Sequence, residues 1–179
     1  MAKALRIPTE QLSEETQQLY DVLNNDKDLA VILIAASFLD ACLRSLLEKK
    51  LLEGSVSDRM LSHKGVLGGM SARADLCYAL GILPKRAYQD LGAIAEIRNI
   101  VAHHHLTQSF ETGGIAAKCA TLDATSLGDT KPDQMPPRMR FTLAVTLLAN
   151  SLLVTALHLQ RQPQVKSLRD PSRIRFRAG

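Results

Sequence analysis

The chain has 179 residues, 46% of them apolar, enough for one domain with a substantial core and too few for two. Aromatic residues make up 4%, with no Trp, which disfavours a binder that stacks bases on aromatic platforms. The net charge of +4 sits at one end: residues 161–179 hold six of the 22 basic residues and one acid, leaving 16 basic and 17 acidic side chains in the other 160.

In chain order, residues 10–24 have the spacing of a short amphipathic helix with Leu12, Leu19, Val22 and Leu23 inward. A longer helix is predicted from about Lys27 to Leu52, with Leu29, Ile32, Leu33, Ala36, Leu39, Leu43, Leu46, Leu47 and Leu51 at helical period. Gly54-Ser55 stops it, and residues 53–69 read as a loop. Ser71 is the expected N-cap of a third helix that ends at Gly81. Pro84 is placed to open a fourth, over 84–103. One short helix is expected near Ile115–Leu122, then a loop over 125–137, then a helix over 139–160.

That last segment has no charged residue from Phe141 to Gln160, long enough to cross a membrane. Thr142, Thr146 and Asn150 nevertheless recur every four residues, and such a polar seam is expected to pack against protein, as a central core helix. No alternating strand pattern or Asn-Gly or Asp-Gly turn competes. The expected architecture is therefore all-α: a single compact bundle of about five to six helices over residues 1–160, followed by a basic, flexible tail over 161–179.

Cys42, Cys77 and Cys119 are odd in number and lack short pair spacing, which argues against disulfides and against a Cys-based zinc site. Each lies in an apolar helical pattern, where a free thiol behaves as a small hydrophobe. No apolar run precedes Pro8, so a cytoplasmic protein without a signal peptide or membrane association is expected.

The chemistry-bearing run is Ile97-Arg98-Asn99-Ile100-Val101-Ala102-His103. On a helical wheel Arg98 falls in the apolar face made by Leu91, Ile94, Ala95, Val101 and Ala102, while Asn99 and His103 share the adjoining shoulder. A desolvated guanidinium needs a partner. Asp40, similarly placed among apolar positions, is one candidate, with Arg44 as its competitor. Two readings follow: a structural Asp40–Arg98 pair, or an Arg98 that lines a cleft or dimer seam and binds phosphate or carboxylate through its forked donors. In the second, Asp40, Arg98 and His103 are the candidate binding residues. His103 to His105 end the helix, where the macrodipole favours cations. Adjacent histidines point in different directions and no carboxylate follows at ligand spacing, so no metal or other cofactor is expected.

Several segments taken in order resemble the mannitol operon repressor (MltR-like) family: Tyr78-Ala79-Leu80-Gly81-Ile82-Leu83, Asp90-Leu91, the run 97–103, Ser109-Phe110, Gly65 to Gly69, and Arg140-Phe141. The resemblance covers roughly residues 15–160. It implies an all-helical transcriptional regulator without a helix-turn-helix, acting through a protein partner or the tail more than by groove readout. The run 97–103 is also similar to the motif of HEPN domains, matched by Arg98, Asn99 and His103. That second resemblance implies a dimer and, in active members, metal-independent RNA cleavage. His103 would then be the acid or base on the ribose hydroxyl and leaving oxygen, Arg98 would hold the phosphate, and Asn99 would orient the pair.

Three functions are thus in competition. One is a repressor-type regulator, dimeric and acting on a protein partner. Another is a ribonuclease of toxin type whose basic tail recruits nucleic acid. The last is a scaffold with a structural Arg98. If the tail is not a nucleic-acid arm, it is a solubilising extension.

Overall fold

A computed structural model describes residues 9–103, 108–123, 131, 134–163 and 165–167. Among them are seven helices and no strand: α1 (Thr9–Asn25), α2 (Asp28–Lys50), α3 (Ser55–Leu61), α4 (Met70–Ala79), α5 (Lys85–His103), α6 (Gly113–Thr121) and α7 (Pro137–Gln160). His104, His105, most of the 125–137 loop and the basic residues beyond Lys166 lie outside the described residues.

The bundle is organised around α2. Asp28 in its first turn and Lys49 and Lys50 in its last match the helix dipole, and the extended backbone of Leu51 ends it. Ile32, Leu39, Leu43, Leu46 and Leu47 are fully buried; each such side chain contributes roughly 1.5–3 kcal/mol relative to exposure. The helix packs on α7 most extensively and also on α1, α4 and α5, so its apolar residues run around most of its circumference rather than along one stripe.

α7 crosses α2, α1 and α6, with Phe141, Val145, Leu148, Leu152 and Ala156 inward. Both α2 and α7 are long and apolar enough to cross a membrane by length and composition. Their inward faces are taken up by protein. α7 is not enclosed, however: Leu147, Val154 and Leu157 are exposed, so the helix expected at the centre lies at the edge with one open face.

Three local expectations are corrected. The segment expected to be loop over 53–69 contains α3, a seven-residue helix with one buried residue, Leu61, too short to show a period. Ser71 is not an N-cap; Gly69 holds that position in extended conformation, without a side-chain cap, and Ser71 lies inside the first turn. Pro84 stands just outside α5, where its carbonyl accepts the Tyr88 N–H. Pro137 instead occupies the first turn of α7, the position where a missing N–H costs nothing.

Candidate functional site

Of the two sequence readings of Arg98, the structure corrects the structural pair with Asp40. Asp40 is paired with Arg73, Nη1 to Oδ2 at 2.6 Å. Arg73 is a buried cation, and the rest of its guanidinium is also satisfied: Nε donates to the Leu67 carbonyl at 2.8 Å and Nη2 to the Leu61 carbonyl at 3.1 Å. One side chain thereby ties α2, the end of α3 and the turn before α4 to a single point. Arg44, the expected competitor, binds Glu48 on its own helix at 2.9 Å. The signal for Arg73 was present in the sequence. Positions 70, 73, 74 and 77 share one face of α4, and three of these four residues are buried, so Arg73 is the misplaced charge that needed a partner.

Arg98 is exposed. Its Nη1 donates to the neighbouring Asn99 amide oxygen at 3.0 Å, and among the described residues it has no carboxylate partner. It lies on the apolar side of α5, as the wheel indicates, but α2, α4 and α5 leave a groove of about 490 Å³ in front of it. Ser37 and Asp40 of α2 form one wall, and Ala95, Arg98 and Asn99 of α5 another. His63, Gly68 and Gly69 with the first turn of α4 form the third. Asp40, Arg98 and Asn99 are therefore brought together. His103 is exposed at the end of α5 and is not among the residues lining the groove. Five residues at about 100° each turn it well away from Arg98.

His63 was read as part of a loop and is the groove residue that sequence reasoning missed. It is placed by a tight turn: the Gly65 N–H donates to the Ser62 carbonyl, and the Gly68 N–H to the Gly65 carbonyl, both at 2.9 Å. A Cβ on Gly68 would come to 2.4 Å from the His63 carbonyl oxygen, so the turn needs glycine there for close approach.

Two further charge clusters are structural. Asp28 accepts Arg138 Nη1 at 2.6 Å and the Phe110 N–H at 3.1 Å. Arg138 also sits 6.0 Å from the centre of the Phe110 ring, which packs against Phe141. Asp90, buried, accepts the Asp123 N–H at 3.1 Å and faces Arg86 at 3.2 Å. Burial is the strongest influence on its carboxyl and raises its pKa; the bond from Asp123 and the charge of Arg86 act in the opposite direction. The three cysteines are free and buried, and desolvation pushes each thiol up to about 12. They are core side chains without nucleophilic character at neutral pH. Among the described residues no group of three or more His, Cys, Asp or Glu is arranged to hold a metal ion.

The sequence profile described as mannitol repressor (MtlR) matches residues 15–167, a span that holds α2 to α7 whole and most of α1. No curated protein sequence matches significantly. Among solved structures, the chain is similar to one in the X-ray structure of the MtlR-HPr complex from Escherichia coli, with 18% identity and a TM-score of 0.58. The likeness covers 76% of this chain and 96% of that one, and at such low identity it concerns the fold.

Proposed function

The chain belongs to the mannitol repressor family, and from this premise we propose that it is a cytoplasmic repressor-type regulator that acts through a protein partner of the HPr kind. The observation that carries the reading is the family match over residues 15–167; the complex formed by the structurally similar Escherichia coli protein suggests the partner.

The placement of cations supports action through protein rather than groove readout of DNA. A reading helix needs free basic and polar side chains on an exposed face. The one cation of α4 is Arg73, buried in its ion pair. In α5, Arg86 is taken up by Asp90 and the Thr121 carbonyl, and the exposed Lys85, Arg98 and His103 are separated by 13 and five residues rather than gathered on one short face. The turn between α3 and α4 spans residues 62–69, longer than the three or four residues of a helix-turn-helix. Self-association belongs to the same reading. The open face of α7 with Leu147, Val154 and Leu157 lies in the charge-free stretch 141–160, so two copies could meet there without opposing like charges.

A transcriptional reporter driven by a mannitol-uptake promoter tests the proposal in cells. Expression of the chain should lower reporter output, and deletion of the host gene for HPr should change the degree of repression severalfold. Repression that is indifferent to HPr would overturn the partner assignment; no repression at all would overturn the regulatory one.

A further inference from the structure

The groove between α2, α4 and α5 is not used by the reading above, and its charge is one-sided. Asp40, the acid on its wall, is neutralised by Arg73 at 2.6 Å. Arg98, on the opposite wall, donates to the neutral Asn99 amide and pairs with no carboxylate among the described residues. The groove therefore presents one uncompensated guanidinium inside a concave space of about 490 Å³, within the range typical of small-molecule sites. An arginine in such a position is a fork of parallel donors matched to the oxygens of a phosphate or carboxylate.

The third wall adds donors of the same polarity. Ser71 lines the groove in the first turn of α4, a helix whose N-cap is Gly69 and which has no side-chain cap. Its first bond within the turn is from the Arg73 N–H to the Gly69 carbonyl, so the N–H groups of Met70, Ser71 and Ala72 precede the helical ladder. These residues border the same space as Arg98. His63 stands at the rim, held by the glycine turn. Arginine, a hydroxyl, an imidazole and the positive end of a helix border one cavity; the carboxylate on its wall, Asp40, has one oxygen held by Arg73 while the other, buried, has no hydrogen-bond partner among the described residues. The remaining lining sets Ser37 and Asn99, which can bond hydroxyl groups, among the small apolar residues Ala36, Ala72 and Ala95.

We propose that this groove binds the phosphoryl group of a small phosphorylated, hydroxyl-bearing metabolite, with Arg98 as its principal contact. The regulator would then carry a small-molecule site separate from whatever surface engages its protein partner. The inference does not depend on the partner's identity, because it rests on the geometry of the groove alone.

Isothermal titration of the full chain with glycerol 3-phosphate, with inorganic phosphate and with glycerol tests it. Saturable binding of either phosphate compound and none of glycerol is expected. Tighter binding of glycerol 3-phosphate identifies a monoester site, and tighter binding of inorganic phosphate identifies free phosphate as the natural occupant; both support a phosphoryl site. Arg98 is exposed, so Arg98→Gln should fold normally, as circular dichroism would verify, while weakening binding by about tenfold or more. Lys85→Gln, at an exposed cation outside the groove, should leave binding unchanged. The amide resonances of Ser71 and Ala72 should shift in a ¹⁵N spectrum on titration. No saturable binding of either phosphate compound up to about 10 mM would overturn the proposal. So would equal loss in the Arg98 and Lys85 variants, or amide shifts confined to residues outside the groove.

Discussion

At the scale of single residues, the buried-cation role expected of Arg98 falls to Arg73. Arg98 was the expected buried charge, and its neighbours on α5 are indeed apolar; what the helical wheel omits is that α2 and α4 leave an open groove opposite it. Arg73, beside a polar-looking helix start, is the buried one. Removing one member of a buried pair leaves the other uncompensated, which costs several kcal/mol, whereas an exposed cation costs little. Arg73→Ala should therefore lower stability by about 3 kcal/mol in urea unfolding, and Arg98→Ala by no more than about 0.5 kcal/mol. Asp90 gives a second test. Its raised pKa means that the folded state holds the proton more tightly, so the stability it contributes is present at low pH and is lost as pH rises through the ordinary and then the raised value. Asp90→Asn is always neutral and keeps an acceptor for the Asp123 N–H. Measured by thermal unfolding, the wild type should gain on this variant as pH falls from about 7 towards 4.

At the scale of elements, most helices were legible because their apolar positions repeat at helical period. The ends of α1, α2 and α6 lie within two residues of the sequence reading. α3 was not legible: with seven residues and one buried side chain, its helicity comes from packing and from the turn that follows rather than from pattern. The polar seam of α7 meets protein only in part, since Thr146 donates to the Thr142 carbonyl of its own helix at 2.9 Å. Tyr20 of α1 donates to Asn150 within that seam at 2.8 Å. The seam could not reveal that one face stays open, since an apolar residue covered by a neighbouring helix and one awaiting a second chain look alike in sequence. Val154 is 67% exposed, so Val154→Glu should leave monomer stability within about 0.5 kcal/mol. If self-association uses this face, the same change should shift sedimentation velocity from dimer to monomer. An unchanged sedimentation coefficient would remove α7 as the interface.

At the scale of the whole molecule, the fold class and the family followed from spacing and motif order, and the site followed only in part. Asp90, Phe110, Arg140 and Phe141, which carry much of the resemblance, are structural: Asp90 holds the Asp123 N–H, the two Phe rings pack against each other in the core at a tilt of 51°, and Arg140 donates to the Leu122 carbonyl at 3.0 Å. Motif order therefore recorded how the bundle is held together more faithfully than what it binds. Partner choice lies on exposed surfaces, which carry no periodic signal. The charge distribution does separate two modes of action, because contacts made by a basic tail to nucleic acid weaken steeply with salt, with a slope approaching about −5 for six cations. The central claim is tested most directly by fluorescence anisotropy of the full chain against labelled HPr and against labelled promoter DNA, each at about 0.1 and 0.3 M salt. The account predicts saturable HPr binding that persists at the higher salt, and DNA binding that is absent or collapses there; tight, sequence-specific DNA binding that survives the salt while HPr fails to bind would contradict it.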